Sequence, residues 1–141
     1  MAKKKVFVSF DWDNDKRYRF LLDAWDANPN FDFLFSVLMP SEVTSDNISR
    51  IKAALTARIK SATYTLVIVG KEANTQHKDH VLIGFKNWIN YEVNKSAANR
   101  NKMVGFKIDN NYASPDELLC AGASWAMSFT QDAITDALNN A

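Results

Sequence analysis

The run Tyr64–Val69 (YTLVIV) constrains the fold more than any other part of the chain. Six successive aromatic, aliphatic or β-branched residues, ended by Gly70, describe a strand buried on both faces, which requires a covering layer on each side of a sheet. Such a strand belongs at the sheet centre. Lys5–Phe10 (KVFVSF) is a second short, β-branched and aromatic run, and it stops at the polar cluster Asp11, Asp13, Asn14 and Asp15. Tyr18, Leu21, Leu22 and Trp25 then recur at i, i+3, i+4 and i+7, one helical face, before Asn28-Pro29-Asn30 ends the helix.

The alternation continues. Phe31–Leu38 (FDFLFSVL) reads as a strand closed by Met39-Pro40-Ser41-Glu42. With Asp46 as N-cap, Ile48, Ile51, Leu55 and Ile59 predict an amphipathic helix whose wetter sides carry Arg50, Lys52 and Arg58. A long polar connection, Lys71–Lys86, holds His77 and His80 and leads into a helix over about Asn87–Asn99. Lys102–Ile108 (KMVGFKI) is a fourth strand and Trp125–Phe129 a short fifth. Thr130–Asn139 is a last helix with Ala133, Ile134, Ala137 and Leu138 inward. Roughly five β-α repeats in 141 residues predict one α/β domain over residues 1–141. The expected architecture is flavodoxin-like: a parallel five-stranded sheet, order 2-1-3-4-5, with helices on both faces.

Composition narrows the function classes. Four Trp, four Tyr and nine Phe supply ample apolar area for one core. Seventeen Lys plus Arg against sixteen Asp plus Glu leave a formal charge of +1, without the basic excess a nucleic-acid backbone demands. Lys3, Lys4 and Lys5 read as a solubilising start to the first strand. Cys120 is a single cysteine and forms no metal-ligand spacing with the two histidines, which fits a reducing cytoplasm. No apolar h-region follows the N-terminal charges, and no run reaches the ~20 apolar residues that cross a bilayer, so neither secretion nor a membrane partner is expected. Only four glycines are present, and neither G-x-G-x-x-G, the P-loop pattern nor G-x-S-x-G occurs.

Ligands of such sheets bind outside the carboxyl ends of the strands where strand order reverses, here the ends of strands one and three. Two segments reach that place: Ser9-Phe10-Asp11-Trp12-Asp13, and Trp88-Ile89-Asn90-Tyr91-Glu92 on the following helix. Ile89, Val93 and Ala97 form the natural core stripe of that helix, and Trp88, Glu92 and Lys95 an adjacent one. Glu92 can therefore face a pocket, or pair with Lys95 or Lys86 on a wet surface. Trp88 and Tyr91 can equally pack against the sheet. Asp11, Asp13 and Asp15 suit a helix-initiating loop better than a metal cluster.

VFVSFDWDND, TLVIVG, NWINYEVNKS and KMVGFKI, in that order from Val6 to Ile108, resemble the TIR-like family, and within it the bacterial Thoeris antiphage subfamily. The most specific element is the W-x-x-x-E pair Trp88 and Glu92. The resemblance implies a flavodoxin-like fold and cleavage of NAD at the nicotinamide–ribose bond, the ADP-ribose part being released, cyclised or transferred as a signal. NAD is then substrate, and no separate cofactor or metal is implied. The family's catalytic glutamate matches Glu92, and its substrate-binding positions map onto Ser9, Phe10, Asp11 and Trp88. Two departures stand out: Met39–Thr44 lacks the glycine and basic residues many TIR domains carry there, and Gln76–Lys86 is longer than expected. The resemblance also allows a homo-oligomer and a downstream effector reached through a diffusible nucleotide. Two other readings stay open. One is a non-catalytic TIR-like assembly module, the other a nucleoside deoxyribosyltransferase-like enzyme that attacks the sugar covalently.

Overall fold

The computed structural model describes residues 3–38, 40 and 47–141. The expected loop Met39–Thr44, apart from Pro40, and the expected cap Asp46 lie outside the described residues. Chain order runs β1 (Lys4–Ser9), α1 (Trp12–Asp15), α2 (Arg17–Asp26), β2 (Phe33–Ser36), α3 (Ile48–Lys60), β3 (Tyr64–Val69), α4 (His80–Ile83), α5 (Trp88–Ala98), β4 (Lys102–Lys107), a 3-10 turn (Asp116–Cys120), β5 (Ser124–Ala126) and α6 (Gln131–Asn140). The five strands form one sheet in the order β2-β1-β3-β4-β5, and every pair is parallel. That is the predicted flavodoxin-like topology, with YTLVIV at the centre and buried throughout.

Alternation along the strands divides the core. Val6, Val8, Phe33, Phe35, Leu66, Ile68, Val104 and Phe106 face Leu22 and Trp25 of α2 and Ile134, Ala137 and Leu138 of α6. Phe7 faces Ile51, Leu55 and Ile59 of α3, Ile83 of α4 and Tyr91 of α5. Val67, Val69 and Met103 face Ile89 and Val93 of α5 and Leu118 of the 3-10 turn. Each fully buried leucine or isoleucine contributes roughly 1.5–3 kcal/mol through water exclusion, so both helical layers are held chiefly by these side chains.

Local chemistry refines the expected boundaries. Asn47 caps α3, accepting from Ser49 N at 2.9 Å. In α2 the inward residues are Leu22 and Trp25, while Leu21 is exposed. In α5 the inward position expected for Ala97 belongs to Ser96, whose Oγ accepts from Thr65 Oγ1 at 2.8 Å; Ala97 is exposed. The buried Thr65 hydroxyl on β3 thereby gains an acceptor. The fifth strand ends at Ala126, and Phe129 instead joins an aromatic group, stacked on Trp25 at 5.0 Å and edge-on to Tyr18 at 4.7 Å. Gly105 leaves room for the Trp125 ring, which a Cβ there would approach to 2.6 Å and force to shift. Lys3 does more than solubilise: its Nζ donates to Asp26 O at 2.9 Å and Asn28 O at 3.1 Å, satisfying carbonyls at the end of α2. Among the described residues, no helix is long and apolar enough to cross a membrane, and no group of three or more His, Cys, Asp or Glu is arranged to hold a metal ion.

Candidate functional site

β1 and β3 pair with Ser9 opposite Val67, so their carboxyl ends lie side by side at the place where strand order reverses. By alternation Ser9 faces the same side as Phe7, toward α5. There its Oγ donates to Glu92 Oε1 at 2.7 Å, joining residues 83 apart in sequence. Glu92 is 3% exposed and Ser9 1%. The surface pairing open to Glu92 from spacing is absent: Lys86 reaches Asp116 at 3.7 Å, and Lys95 lies over the Tyr91 ring. Burial pushes the Glu92 carboxyl up to about 8, and the Ser9 hydrogen bond offsets only part of that rise. A carboxyl this buried, at the switch point of a parallel sheet, is where perturbed acids gather in functional sites.

Glu92 is aimed by the anchoring of its helix. Asn87 caps α5 by accepting from Asn90 N at 2.9 Å, and its own amide donates to Ala73 O at 2.9 Å and Thr75 O at 3.0 Å. Asn90 donates to Asn74 Oδ1 at 3.2 Å and accepts from Glu117 N at 3.0 Å. These amides tie the long connection after β3 and the 3-10 turn to the first turn of α5. Tyr91 holds the other flank, with its hydroxyl 2.8 Å from Thr56 Oγ1 and its ring among the α3 side chains. Buried polar networks of this kind are rigid when every member is partnered. The direction of Glu92 therefore follows from the polar residues Asn87 and Asn90 as much as from the apolar stripe.

The other expected site residues are placed differently. Phe10 is 3% exposed and its ring belongs to the core on the α2 and α6 side. Asp11 caps α1, its Oδ1 accepting from Asp13 N at 3.1 Å and its Oδ2 from Asn14 Nδ2 at 2.6 Å. Trp88 is half-buried and meets Tyr91 edge-on at 5.6 Å. His77 Nδ1 accepts from Asp79 N at 2.9 Å within the polar connection. Within the predicted group, Ser9 and Glu92 are joined directly, by their 2.7 Å hydrogen bond. A groove of about 480 Å³ elsewhere runs along β2, lined by Lys5, Leu34 and Arg58 among others, and includes neither of the pair.

One residue of the acidic segment departs from the helix-initiating role. Asp15 is 4% exposed, and its Oδ2 has no hydrogen-bond partner. Desolvation, then repulsion by Asp11, lifts its carboxyl to about 6 against the opposing pull of Arg17. The room for it comes from Gly70, directly after β3, where any Cβ would overlap Oδ2. The sequence signal is slight: a glycine ending an otherwise bulky strand.

Replacing Ser9 with alanine is expected to raise the Glu92 pKa above its present value of about 8, because the bond that favours the ionised form is removed. Carboxyl NMR titration checks this. An unchanged or lower value would mean that the hydroxyl does not support the charge.

Comparison with solved structures gives the same fold. A 2-deoxyribosyltransferase from Leishmania mexicana superposes with a TM-score of 0.63 at 12% identity, covering 96% of this chain and 97% of that one. A second, from the psychrotolerant bacterium Bacillus psychrosaccharolyticus, gives 0.58 at 13% identity, covering 96% and 90%. At such identities the likeness is one of architecture. No curated protein matches by sequence. The family described as Thoeris protein ThsB, TIR-like domain, matches residues 7–113, a span that runs from the second half of β1 past the end of β4 and contains the Ser9–Glu92 pair. On that match over more than half its length, the chain belongs to the Thoeris ThsB TIR-like domain family.

Proposed function

We propose that this chain cleaves NAD at the bond between nicotinamide and ribose, in the cytoplasm and as part of antiphage defence, with Glu92 as the catalytic carboxyl. The observation that carries the reading is the Ser9–Glu92 pair itself: a buried carboxyl, held by a hydroxyl at 2.7 Å, at the carboxyl ends of β1 and β3. Family membership supports the same assignment.

The chemistry follows from charge. As the C1′–N bond breaks, its electron pair leaves with nicotinamide, which departs neutral, and oxocarbenium character develops on the ribose. No general acid is needed. A desolvated carboxylate close to that sugar stabilises the positive charge more strongly than water does. Water, or a nucleophile within the ADP-ribose itself, then adds to C1′ and gives up its proton. Exclusion of water favours the internal nucleophile and hence a cyclic signal read by a downstream effector. Phe10, Asp11 and Trp88 are the proposed lining of the substrate cleft, Phe10 through its backbone because its ring is in the core. Since Glu92 is 3% exposed, substrate entry requires its cover to move.

Incubation of purified protein with NAD, with nicotinamide release followed and the ADP-ribose products resolved by mass, tests the reading. Release by wild type and its loss in Glu92→Gln support it. No release, even from concentrated or crowded protein, favours an assembly module. A glycosyl adduct trapped on Glu92 favours covalent transfer, the reading suggested by the deoxyribosyltransferase likeness.

Proton linkage gives an independent check. At pH 7 a carboxyl with a pKa of about 8 is mostly neutral, and a bound nicotinamide cation beside it lowers that value. Binding of NAD at pH 7 should therefore release up to one proton, seen as a buffer-dependent calorimetric enthalpy. Over the same range kcat/KM should rise with pH toward a plateau above about 8. Proton uptake, or a rate that falls across this interval, would mean that the ionised form is not the active one.

A further inference from the structure

Asp15 is the one buried side chain among the described residues whose polar atom is unpartnered. Native proteins keep few such atoms, and each calls for a partner supplied by water, an ion or a ligand. Its position is specific. α1 follows β1 within three residues of Ser9, and Gly70 directly follows the last residue of β3. Leu66 and Ile68 face the α2 and α6 side, so position 70 faces that side too. Ser9 faces the opposite side, toward α5, which carries Glu92. Two buried carboxyls thus flank the carboxyl ends of β1 and β3 from opposite faces.

The alternatives within the protein are accounted for. Asp11 Oδ1 caps α1 by accepting from Asp13 N, and its Oδ2 accepts from Asn14 Nδ2. Arg17 acts on Asp15 through space and gives its Oδ2 no hydrogen bond, and Asp11 repels it. α1 is a single turn of four residues, held by Asp15 N donating to Asp11 O at 2.8 Å and by the Asp11 cap. Segments held by so few bonds open readily.

We propose that Asp15 is a second substrate-contacting carboxyl, whose Oδ2 accepts a hydrogen bond from a ribose hydroxyl of the bound nucleotide when the α1 turn lifts. This rests on the reading of the chain as nucleotide-binding, and it adds a recognition residue separate from Glu92. Gly70 is then a specificity position as well, since it leaves the space that Oδ2 occupies. An unpartnered acid is unfavourable for folding and useful only when a ligand satisfies it.

The test measures binding of NAD, ADP-ribose and adenosine by calorimetry, in the Glu92→Gln background so that NAD persists. Asp15→Asn is expected to weaken NAD and ADP-ribose about ten- to a hundredfold while the Tm does not fall, because the oxygen it alters has no protein partner. Gly70→Ala, which forces Oδ2 aside, should weaken both likewise. Unchanged affinity overturns the proposal, as does a lower Tm in Asp15→Asn, which would mark a structural role. A loss confined to NAD overturns the ribose contact in favour of the nicotinamide amide. A loss that vanishes with EDTA overturns it in favour of a cation. If NAD and ADP-ribose fail to bind but adenosine binds and depends on Asp15, the NAD reading falls and this one stands. A protein that binds none of the three overturns both.

Discussion

On the proposed function, Glu92→Gln is expected to lower NAD cleavage by roughly a thousandfold and yet to unfold at a higher denaturant concentration than wild type at pH 9. The first effect follows from removing a preorganised charge aimed at a developing cation, a loss in the upper part of the range for a single electrostatic group. The second follows from linkage. The Glu92 carboxyl binds its proton more tightly folded, at about 8, than unfolded, at 4.5. Between those values the native state holds more protons than the unfolded one, so stability falls as pH rises, and the whole decrement is present above about 8. A displacement of that size corresponds to roughly 5 kcal/mol. Asp15 acts in the same direction over a lower interval, from 3.8 to about 6. Glutamine stays neutral, keeps an oxygen for the Ser9 hydroxyl, and escapes the Glu92 decrement. Urea unfolding at pH 5 and pH 9 should give the variant a small advantage at pH 5 and a much larger one at pH 9. A variant weaker than wild type at pH 9 would show that the carboxyl is not held as an unfavourable buried charge.

Phe7→Ala is the most damaging core change expected. The ring is fully buried and belongs to the cluster that joins β1 to three helices, with Ile51, Leu55 and Ile59 of α3, Ile83 of α4 and Tyr91 of α5. Truncation removes its transfer energy and leaves a cavity that three anchored helices cannot close, a combination worth about 3–5 kcal/mol. Domains of this size are stable by only about 5–15 kcal/mol. The urea midpoint should therefore fall steeply with little change in m. A loss under about 1 kcal/mol would mean that the helices collapse into the space.

The architecture was legible because it rests on periodicity. YTLVIV and KVFVSF report strands through runs that only a two-sided core accepts, and Leu22, Trp25, Ile51, Leu55 and Ile59 report helices through their spacing. Parallel connectivity then leaves few orders to choose from. The Trp88–Glu92 spacing marked the helix that carries the candidate carboxyl, and the resemblance supplied its role. Ser9 followed from its place at the end of β1. Less was legible where polar pairing decides. Ser96 displaces Ala97 because Thr65, on a strand 31 residues earlier, needs a partner. Asp15 looked like its neighbours because Asp11, Asp13 and Asp15 have one composition and different surroundings: one caps, one is exposed, one is buried against the glycine that follows β3. Spacing along a segment carries no record of what approaches it from elsewhere in the fold.

β3 is paired with β4 along its full length and with β1 over four positions, whereas β5 has only three residues and lies at the edge. Backbone amide exchange in such a sheet is graded, slowest where both flanks are paired and fastest at the margin. Ser9 is paired directly to the central strand, opposite Val67 of β3, and Glu92 is bonded to it from a helix packed over β3. The margins at β2 and β5 can then breathe, adapt or meet another surface on a faster clock while the carboxyl keeps its aim, so loss of that aim coincides with cooperative opening of the central strands.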